Sequence, residues 1–187
     1  MENGNRRRVA FLDRDGTLAE EVGYLNHLSR FHLFPFAAEA VRRLNQAGLA
    51  VVVVTNQSGA TRGFFPEDLI RQVHEHMVAE LAAAGARIDA VYYCPHTRDA
   101  DCGCRKPRPG MLDRASREHG LALEGSFVVS DRYADVQMAQ AIGCRGILVL
   151  TGYGRGEYEW NRQRWPRQPD WIAENLLAAT DAILGYR

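Results

Sequence analysis

Val9-Ala10-Phe11-Leu12-Asp13-Arg14-Asp15-Gly16-Thr17 is an apolar run that ends on two carboxylates one residue apart, with a glycine and a threonine behind them. Such a run reads as a buried parallel strand that delivers acids to its tip. Alternate residues of a strand share a face, so Asp13 and Asp15 can both point beyond the carboxyl end of the sheet, where ligands collect in α/β folds. Two carboxylates this close favour a cation. An Asp-Gly turn after an ordinary strand leaves the same short signature, so the rest of the chain has to decide between the two readings.

The strand-and-tip pattern repeats. Leu49 to Thr55 is apolar on both faces, as a central parallel strand would be, and runs into Thr55-Asn56-Gln57-Ser58-Gly59. Ile88 to Cys94, Ser126 to Asp131 and Gly146 to Leu150 read as three further strands. Between them, Phe36 to Gln46 is expected as a helix with Val41 and Leu44 inward and Gly48 as its stop. Pro66 opens a longer helix whose apolar stripe is Leu69, Val73, Met77 and Leu81, closed by Gly85. Pro109 to Gly120 and Tyr133 to Ile142 read as helices as well. Gly152 to Pro169, rich in Gly, Arg, Trp and Pro, is too long for an ordinary connection and is expected to form a partly ordered flap over the site. Trp171 to Leu184 supplies a last amphipathic helix, after a very short edge strand. No repeat or linker interrupts the series, so residues 1–187 read as one α/β domain built on a doubly wound, Rossmann-like parallel sheet.

Composition narrows the function. The chain has 187 residues, 46% hydrophobic, and no apolar segment long enough to span a membrane or to serve as a signal peptide near Met1; a cytoplasmic protein is expected. Formal charges balance at 23 against 23, so no global field argues for nucleic acid or an anionic membrane, and a small-molecule partner is expected. The Arg6-Arg7-Arg8 run reads as a solvated terminus. Of the basic residues 22 are Arg and one is Lys, at position 106. Cys94, Cys102 and Cys104 lie close together and Cys144 stands apart, a pattern that suits a metal better than a disulfide framework, with Cys144 in the core. His27, His32, His74, His76 and His119 are scattered and read as surface or partly packed residues.

Three strand tips now carry chemistry: Asp13 with Asp15, Thr55 with Asn56, and Asp131 with Asp135, while Lys106 opens the helix before the fourth strand. This constellation resembles the haloacid dehalogenase (HAD) superfamily of phosphohydrolases, whose signatures are D-x-D-x-T, a strand-ending Thr or Ser, a Lys and a late acidic motif. Here they stand, in that order, as Asp13-Arg14-Asp15-Gly16-Thr17, Thr55, Lys106 and Asp131-Arg132-Tyr133-Ala134-Asp135. The resemblance implies Mg²⁺ held by Asp13, Asp131 and the backbone carbonyl of Asp15, since a dianionic phosphate and an anionic nucleophile need a hard cation between them. It implies Asp13 as the nucleophile that forms an aspartyl-phosphate and Asp15 as the acid–base group. Thr55 and Asn56 would hold phosphoryl oxygens. Lys106 would neutralise Asp13 and the transferring group, where a compact ammonium fits better than a planar guanidinium. Asp135 is a possible second acid.

A second constellation, Cys94-Pro95-His96 followed by Cys102-Gly103-Cys104, has the spacing C-x-H-x₅-C-x-C. Three thiolates and an imidazole complete a tetrahedral set for zinc with no open position, so the site is expected to be structural. Such a loop is similar to that of the bacterial heptose bisphosphate and histidinol-phosphate phosphatases, and the resemblance then covers nearly the whole chain. It implies a capless fold with an open site and a monomer, in which Glu21, Val22, Gly23, Tyr24, Asn56, Gln57, Ser58, Arg62, Arg105 and Arg132 line a sugar-phosphate substrate. Arg105 is the expected clamp for a second phosphate. By this resemblance the expected reaction releases the 7-phosphate of D-glycero-D-manno-heptose 1,7-bisphosphate, a step in heptose biosynthesis for lipopolysaccharide. Histidinol phosphate is the alternative substrate, and a zinc-stabilised binding module without activity is the alternative class. Two departures stand out: Ser130-Asp131-Arg132 where the family commonly has Gly-Asp-Lys, and Ala134 where a carboxylate is frequent.

Overall fold

The computed structural model describes residues 6–186. Six parallel strands, β1 (Arg7–Leu12), β2 (Ala50–Asn56), β3 (Ala90–Cys94), β4 (Leu121–Ser130), β5 (Arg145–Val149) and β6 (Trp171–Ala173), form one sheet in the order β3-β2-β1-β4-β5-β6. Val9 to Leu12 and Val51 to Val54 are wholly buried on both faces, which is why neither run alternates in sequence. Helices α1 (Ala37–Gln46), α2 (Asp68–Ala83) and α6 (Leu176–Gly185) pack on the face that carries Leu12, Val53, Val129 and Ile147. Helices α3 (Gly110–His119) and α4 (Tyr133–Ala141) cover the face of Phe11, Val54 and Val128. The chain thus winds outward from β1 to β3 and then returns to lay β4 against the other side of β1. That reversal leaves a crevice beyond the carboxyl ends of β1 and β4, the position where doubly wound sheets bind ligands.

Expectation and structure differ at four places. The fourth strand begins at Leu121, earlier than expected, because Leu121 and Ala122 pair with Arg7 and Arg8 before a register shift. Gly152 to Pro169, expected as a partly ordered flap, is more regular than that: it contains α5 (Gly154–Asn161) and a 3₁₀ turn over Arg162–Arg164. Trp165 stacks on Tyr133 with centroids 4.1 Å apart, and the Tyr133 hydroxyl donates to the Arg167 carbonyl at 2.6 Å. Stacking and main-chain anchoring supply the order that Gly and Pro content argued against. His74, read as a surface or partly packed residue, is buried beside Arg14 on the inward side of α2. Burial and the Arg14 charge hold its pKa down at about 3, so the ring is neutral. The last helix, expected from Trp171, begins at Leu176, because Trp171 to Ala173 pair with β5 as the short edge strand β6. The buried Cys144 and the connections without an inserted domain agree with expectation. No helix among the described residues is long and apolar enough to cross a membrane.

Candidate active site

The crevice is an open cleft of about 560 Å³ that Asp13, Asp15, Thr55, Lys106, Asp131 and Asp135 all line. Its floor is set by main chain. The Asp13 amide donates to the Val129 carbonyl at 3.0 Å, which locks the tip of β1 to β4. Asp13 Oδ1 accepts from the Arg14 amide at 2.8 Å and from Lys106 Nζ at 3.0 Å. Lys106 Nζ also donates to Asp135 Oδ2 at 2.6 Å and to the Val54 carbonyl at 3.1 Å, so its three N–H donors have three acceptors. Burial alone would depress this ammonium, but the facing Asp13 and Asp135 carboxylates outweigh it and raise the pKa. Asn56 was expected on phosphoryl oxygens. Its amide instead brackets the Lys106 main chain, accepting from the Lys106 N–H at 3.1 Å and donating to the Lys106 carbonyl at 3.2 Å. The Ser130 hydroxyl lies 2.8 Å from Asp135 Oδ2 and 3.3 Å from Asp13 Oδ2, so the family departure at this position places a buried donor between two acids.

Asp131 is held from the other side. Its Oδ2 accepts from the Tyr153 amide at 2.8 Å, just before α5. Gly16 and Gly152, both in the left-handed region with φ of +76° and +54°, press on the same carboxylate, and a Cβ on either would overlap it. The Thr151 hydroxyl donates to the Gly16 carbonyl at 2.6 Å and ties the two glycine loops together. Segment 151–154, read as the start of a flap, is therefore a clamp on an acid of the site.

Charge at the tips does not balance. Asp15 pairs with Arg14, and Lys106 compensates for one among Asp13, Asp131 and Asp135. Burial, and after it the Asp13 charge, pushes Asp131 up to about 8; burial raises Asp13 too, against the pull of Lys106. Two buried negative charges in hard oxygen donors fit a divalent cation, and the set suits Mg²⁺. The folded chain thus holds protons that the unfolded chain releases near pH 4, so this stability is full below about pH 4 and is lost as pH rises through about 8. Mg²⁺ competes for the same oxygens, so its stabilisation should grow between pH 5.5 and 8. At about 100 times its Kd the ion is worth about 2.7 kcal/mol, roughly 5–10 °C in Tm. Thermal melts with and without Mg²⁺ at the two pH values check this, and a shift that shrinks with pH contradicts it.

Cys94, His96, Cys102 and Cys104 converge on the neighbouring loop, with donor atoms all within 4.8 Å of one another. Sulfur pairs are 3.0–3.6 Å apart and His96 Nδ1 lies 3.3–3.5 Å from two of them. A tetrahedral zinc with Zn–S bonds of about 2.3 Å spans such a set and leaves no position for substrate. Two arginines brace the loop: Arg105 Nη1 donates to the His96 carbonyl at 2.8 Å and Arg108 Nη1 to the Cys102 carbonyl at 2.7 Å. Cys104 precedes Lys106 by two residues, so the loop sets where the ammonium stands.

Of the residues expected around substrate, Glu21, Asn56, Arg105 and Arg132 line the cleft. Val22, Gly23, Tyr24, Ser58 and Arg62 stand outside its lining; Tyr24 packs edge-on against Phe64 at 4.6 Å. Gln57 is buried behind the cleft, donating to Asp15 Oδ2 at 2.7 Å and Thr55 Oγ1 at 2.9 Å. Sequence reading missed Thr97, Arg98, Asp101, Arg108 and Glu157, which also line the cleft. Arg98 had a signal in the zinc spacing, since it falls between His96 and Cys102 and a loop folded around a metal turns its intervening residues to the rim; Arg108, four residues past Cys104, had none. Glu157 carried no signal. It lies on α5, accepts from the Tyr133 amide at 2.6 Å and pairs with Arg132, whose guanidinium stacks 3.6 Å from the Tyr153 centroid.

Known proteins match this arrangement. A family model described as polynucleotide kinase 3 phosphatase matches residues 8–133, and one described as HAD-hydrolase-like matches residues 103–179. The chain is 43% identical to the D-glycero-D-manno-heptose-1,7-bisphosphate 7-phosphatase of Thermosynechococcus vestitus, over 95% of each chain. It is 40% identical to the D-glycero-beta-D-manno-heptose-1,7-bisphosphate 7-phosphatase of Yersinia pestis, over 92% of this chain and 93% of that one. The crystal structure of D,D-heptose 1,7-bisphosphate phosphatase from B. bronchiseptica, complexed with magnesium and phosphate, superposes with a TM-score of 0.86 at 34% identity, covering 95% of this chain and 98% of that one. With tip acids, lysine and Cys/His loop in place, the chain belongs to the D-glycero-D-manno-heptose-1,7-bisphosphate 7-phosphatase family of HAD-like phosphatases.

Proposed function

We propose that this chain is a Mg²⁺-dependent phosphatase that removes the 7-phosphate of D-glycero-D-manno-heptose 1,7-bisphosphate by way of an aspartyl-phosphate on Asp13. The observation that carries the reading is the enclosed triangle of Asp13, Lys106 and Asp135 beside Asp131, at the switch point of the sheet. Bound by Asp13, Asp131 and the Asp15 carbonyl, Mg²⁺ would neutralise phosphate charge that otherwise repels the nucleophile. An Asp13 carboxylate oxygen attacks phosphorus and the bond to the C7 oxygen breaks, while Asp15 gives its proton to that leaving oxygen. Asp15 then takes a proton from water as the water oxygen attacks the phosphorus of the aspartyl-phosphate. Inorganic phosphate leaves, Asp13 is again a carboxylate and Asp15 again carries a proton. Lys106 holds Asp13 in place and balances the charge of the transferring group. Thr55 Oγ1, which accepts from Gln57 at 2.9 Å, would donate to a phosphoryl oxygen.

On the cleft rim Arg108 pairs with Asp101 and Arg132 with Glu157, which leaves Arg98 and Arg105 as the positive charge that would take the second phosphate. Those two arginines would favour a sugar bisphosphate, whereas Glu21 on the same lining is the acid that the amine of histidinol phosphate would use. We assign the chain to a monomer of one catalytic domain working in a reducing compartment such as the cytoplasm, where the three cysteines of the zinc loop and Cys144 stay out of disulfides. The test is a comparison of kcat/KM for the two substrates with Mg²⁺ present, with the product read by phosphorus NMR. The expected result is preference for the bisphosphate and a product phosphorylated at C1. Equal or better turnover of histidinol phosphate overturns it.

Held by Cys94, His96, Cys102 and Cys104, zinc would fix the loop that positions Lys106 and would take no part in the chemistry. Stripping zinc, or Cys102→Ser, is expected to lower turnover about 10- to 100-fold, the scale of an ångström of misplacement. Far-UV circular dichroism should persist, because the larger core lies outside the loop and the second meets it only through Cys94, Cys102 and Cys104. Unchanged kinetics contradict a positioning role, and outright unfolding would make the metal a support of the fold.

A further inference from the structure

Arg14 stands between the two acids of the strand-tip motif, yet its side chain is 1% exposed. A buried guanidinium has to find partners for its donors. Its fork closes on the next residue: Nε donates to Asp15 Oδ1 at 3.0 Å and Nη2 to Asp15 Oδ2 at 2.8 Å. Nη1 faces His74 Nε2 at 3.2 Å. Arginine only donates, so Nε2 is the acceptor and the ring proton sits on Nδ1. Phe31 lies 6.0 Å from the guanidinium carbon and closes another side. Gln57 Nε2 adds a third bond to Asp15, on Oδ2.

A carboxylate offers roughly four lone-pair sites. Arg14 occupies one on each oxygen and Gln57 the second on Oδ2, which leaves one on Oδ1 while Asp15 keeps a place in the cleft lining. We infer that Arg14 is a positioning residue for the acid–base step: α2, through His74 and Arg14, aims Asp15 and leaves Oδ1 to carry the exchanged proton. This rests on Asp15 being the acid–base group.

Leaving-group dependence tests it, because a sugar alkoxide needs a proton and a nitrophenolate does not. kcat/KM, which reports transfer up to the loss of the leaving group, is measured with heptose 1,7-bisphosphate and with p-nitrophenyl phosphate. Each variant is compared with wild type on each substrate. Arg14→Lys, which cannot form the fork, should lose about 100-fold on the bisphosphate and less than about 3-fold on the aryl ester, within the usual range for general acid catalysis. His74→Leu should show the same split at about 10-fold, and His74→Gln, which keeps an acceptor, should restore the bisphosphate rate. Asp15→Asn is the control and should split most strongly. If Asp15→Asn splits and neither Arg14→Lys nor His74→Leu does, or both lose equally on the two substrates, the positioning role is wrong. If Asp15→Asn itself shows no split, the acid–base reading of Asp15 fails, and the inference with it. Should Arg14→Lys not fold, the two His74 variants decide.

Discussion

Asp13→Asn is expected to abolish Mg²⁺-dependent phosphate release, by at least about 1,000-fold, since loss of the nucleophile removes the covalent route altogether. The substitution keeps shape and volume. An amide oxygen at the Oδ1 position can still accept from the Arg14 amide and from Lys106 Nζ, so the local bonds persist. It also removes one charge from a cluster that already holds more negative than positive charge, so the metal-free protein should melt no lower than wild type. Phosphate release assayed beside near-UV circular dichroism separates the two effects. Wild-type and variant rates that cannot be told apart would favour a binding module over an enzyme.

Lys106→Arg is expected to be almost as damaging, although it keeps the charge. The ammonium is 3% exposed and has one acceptor for each proton, at Val54 O, Asp13 Oδ1 and Asp135 Oδ2. A planar fork is wider than this three-sided seat and cannot reproduce it without displacing β2 or Asp135. Turnover should fall by about 100-fold or more, a scale set by misplacing the nucleophile. Lys106→Ala should lose more and should also destabilise the protein by about 3–5 kcal/mol, because it leaves buried acids without their cation. Steady-state rates and denaturant titrations of both variants check this. Wild-type turnover by Lys106→Arg would show that charge alone matters at this position.

The polar strand tips were legible because each is a strand-end event, and period and apolar run length locate strand ends from local sequence. Asp13, Thr55 and Asp131 stand at or just beyond the ends of β1, β2 and β4, and the switch-point geometry does the rest. The Cys/His loop was legible because ligand chemistry and spacing are local too. What stayed hidden depends on long-range packing. Gly152 to Pro169 reads as irregular, and only the bonds from Thr151 to Gly16 and from Tyr153 to Asp131 reveal that it grips the site. Asn56 carries a phosphate-binding residue type, and nothing local shows that its amide also brackets a main chain 50 residues away. His74 had a usable signal: it falls between Ile70 and Met77 on the buried side of α2, where a polar residue must meet a polar partner. That partner, Arg14, is invisible without the fold.

Trapping the phosphorylated enzyme tests the central claim most directly. Wild-type protein turning over heptose 1,7-bisphosphate with Mg²⁺ is quenched in denaturant and treated with borohydride, which reduces an acyl phosphate to the alcohol and leaves free carboxylates intact. Peptide mass spectrometry then reads every acidic residue. Conversion of residue 13 to homoserine, absent without substrate and absent in Asp13→Asn, is the expected result. Turnover with no reduced residue, or with the modification at Asp15, Asp131 or Asp135, would contradict an aspartyl-phosphate on Asp13.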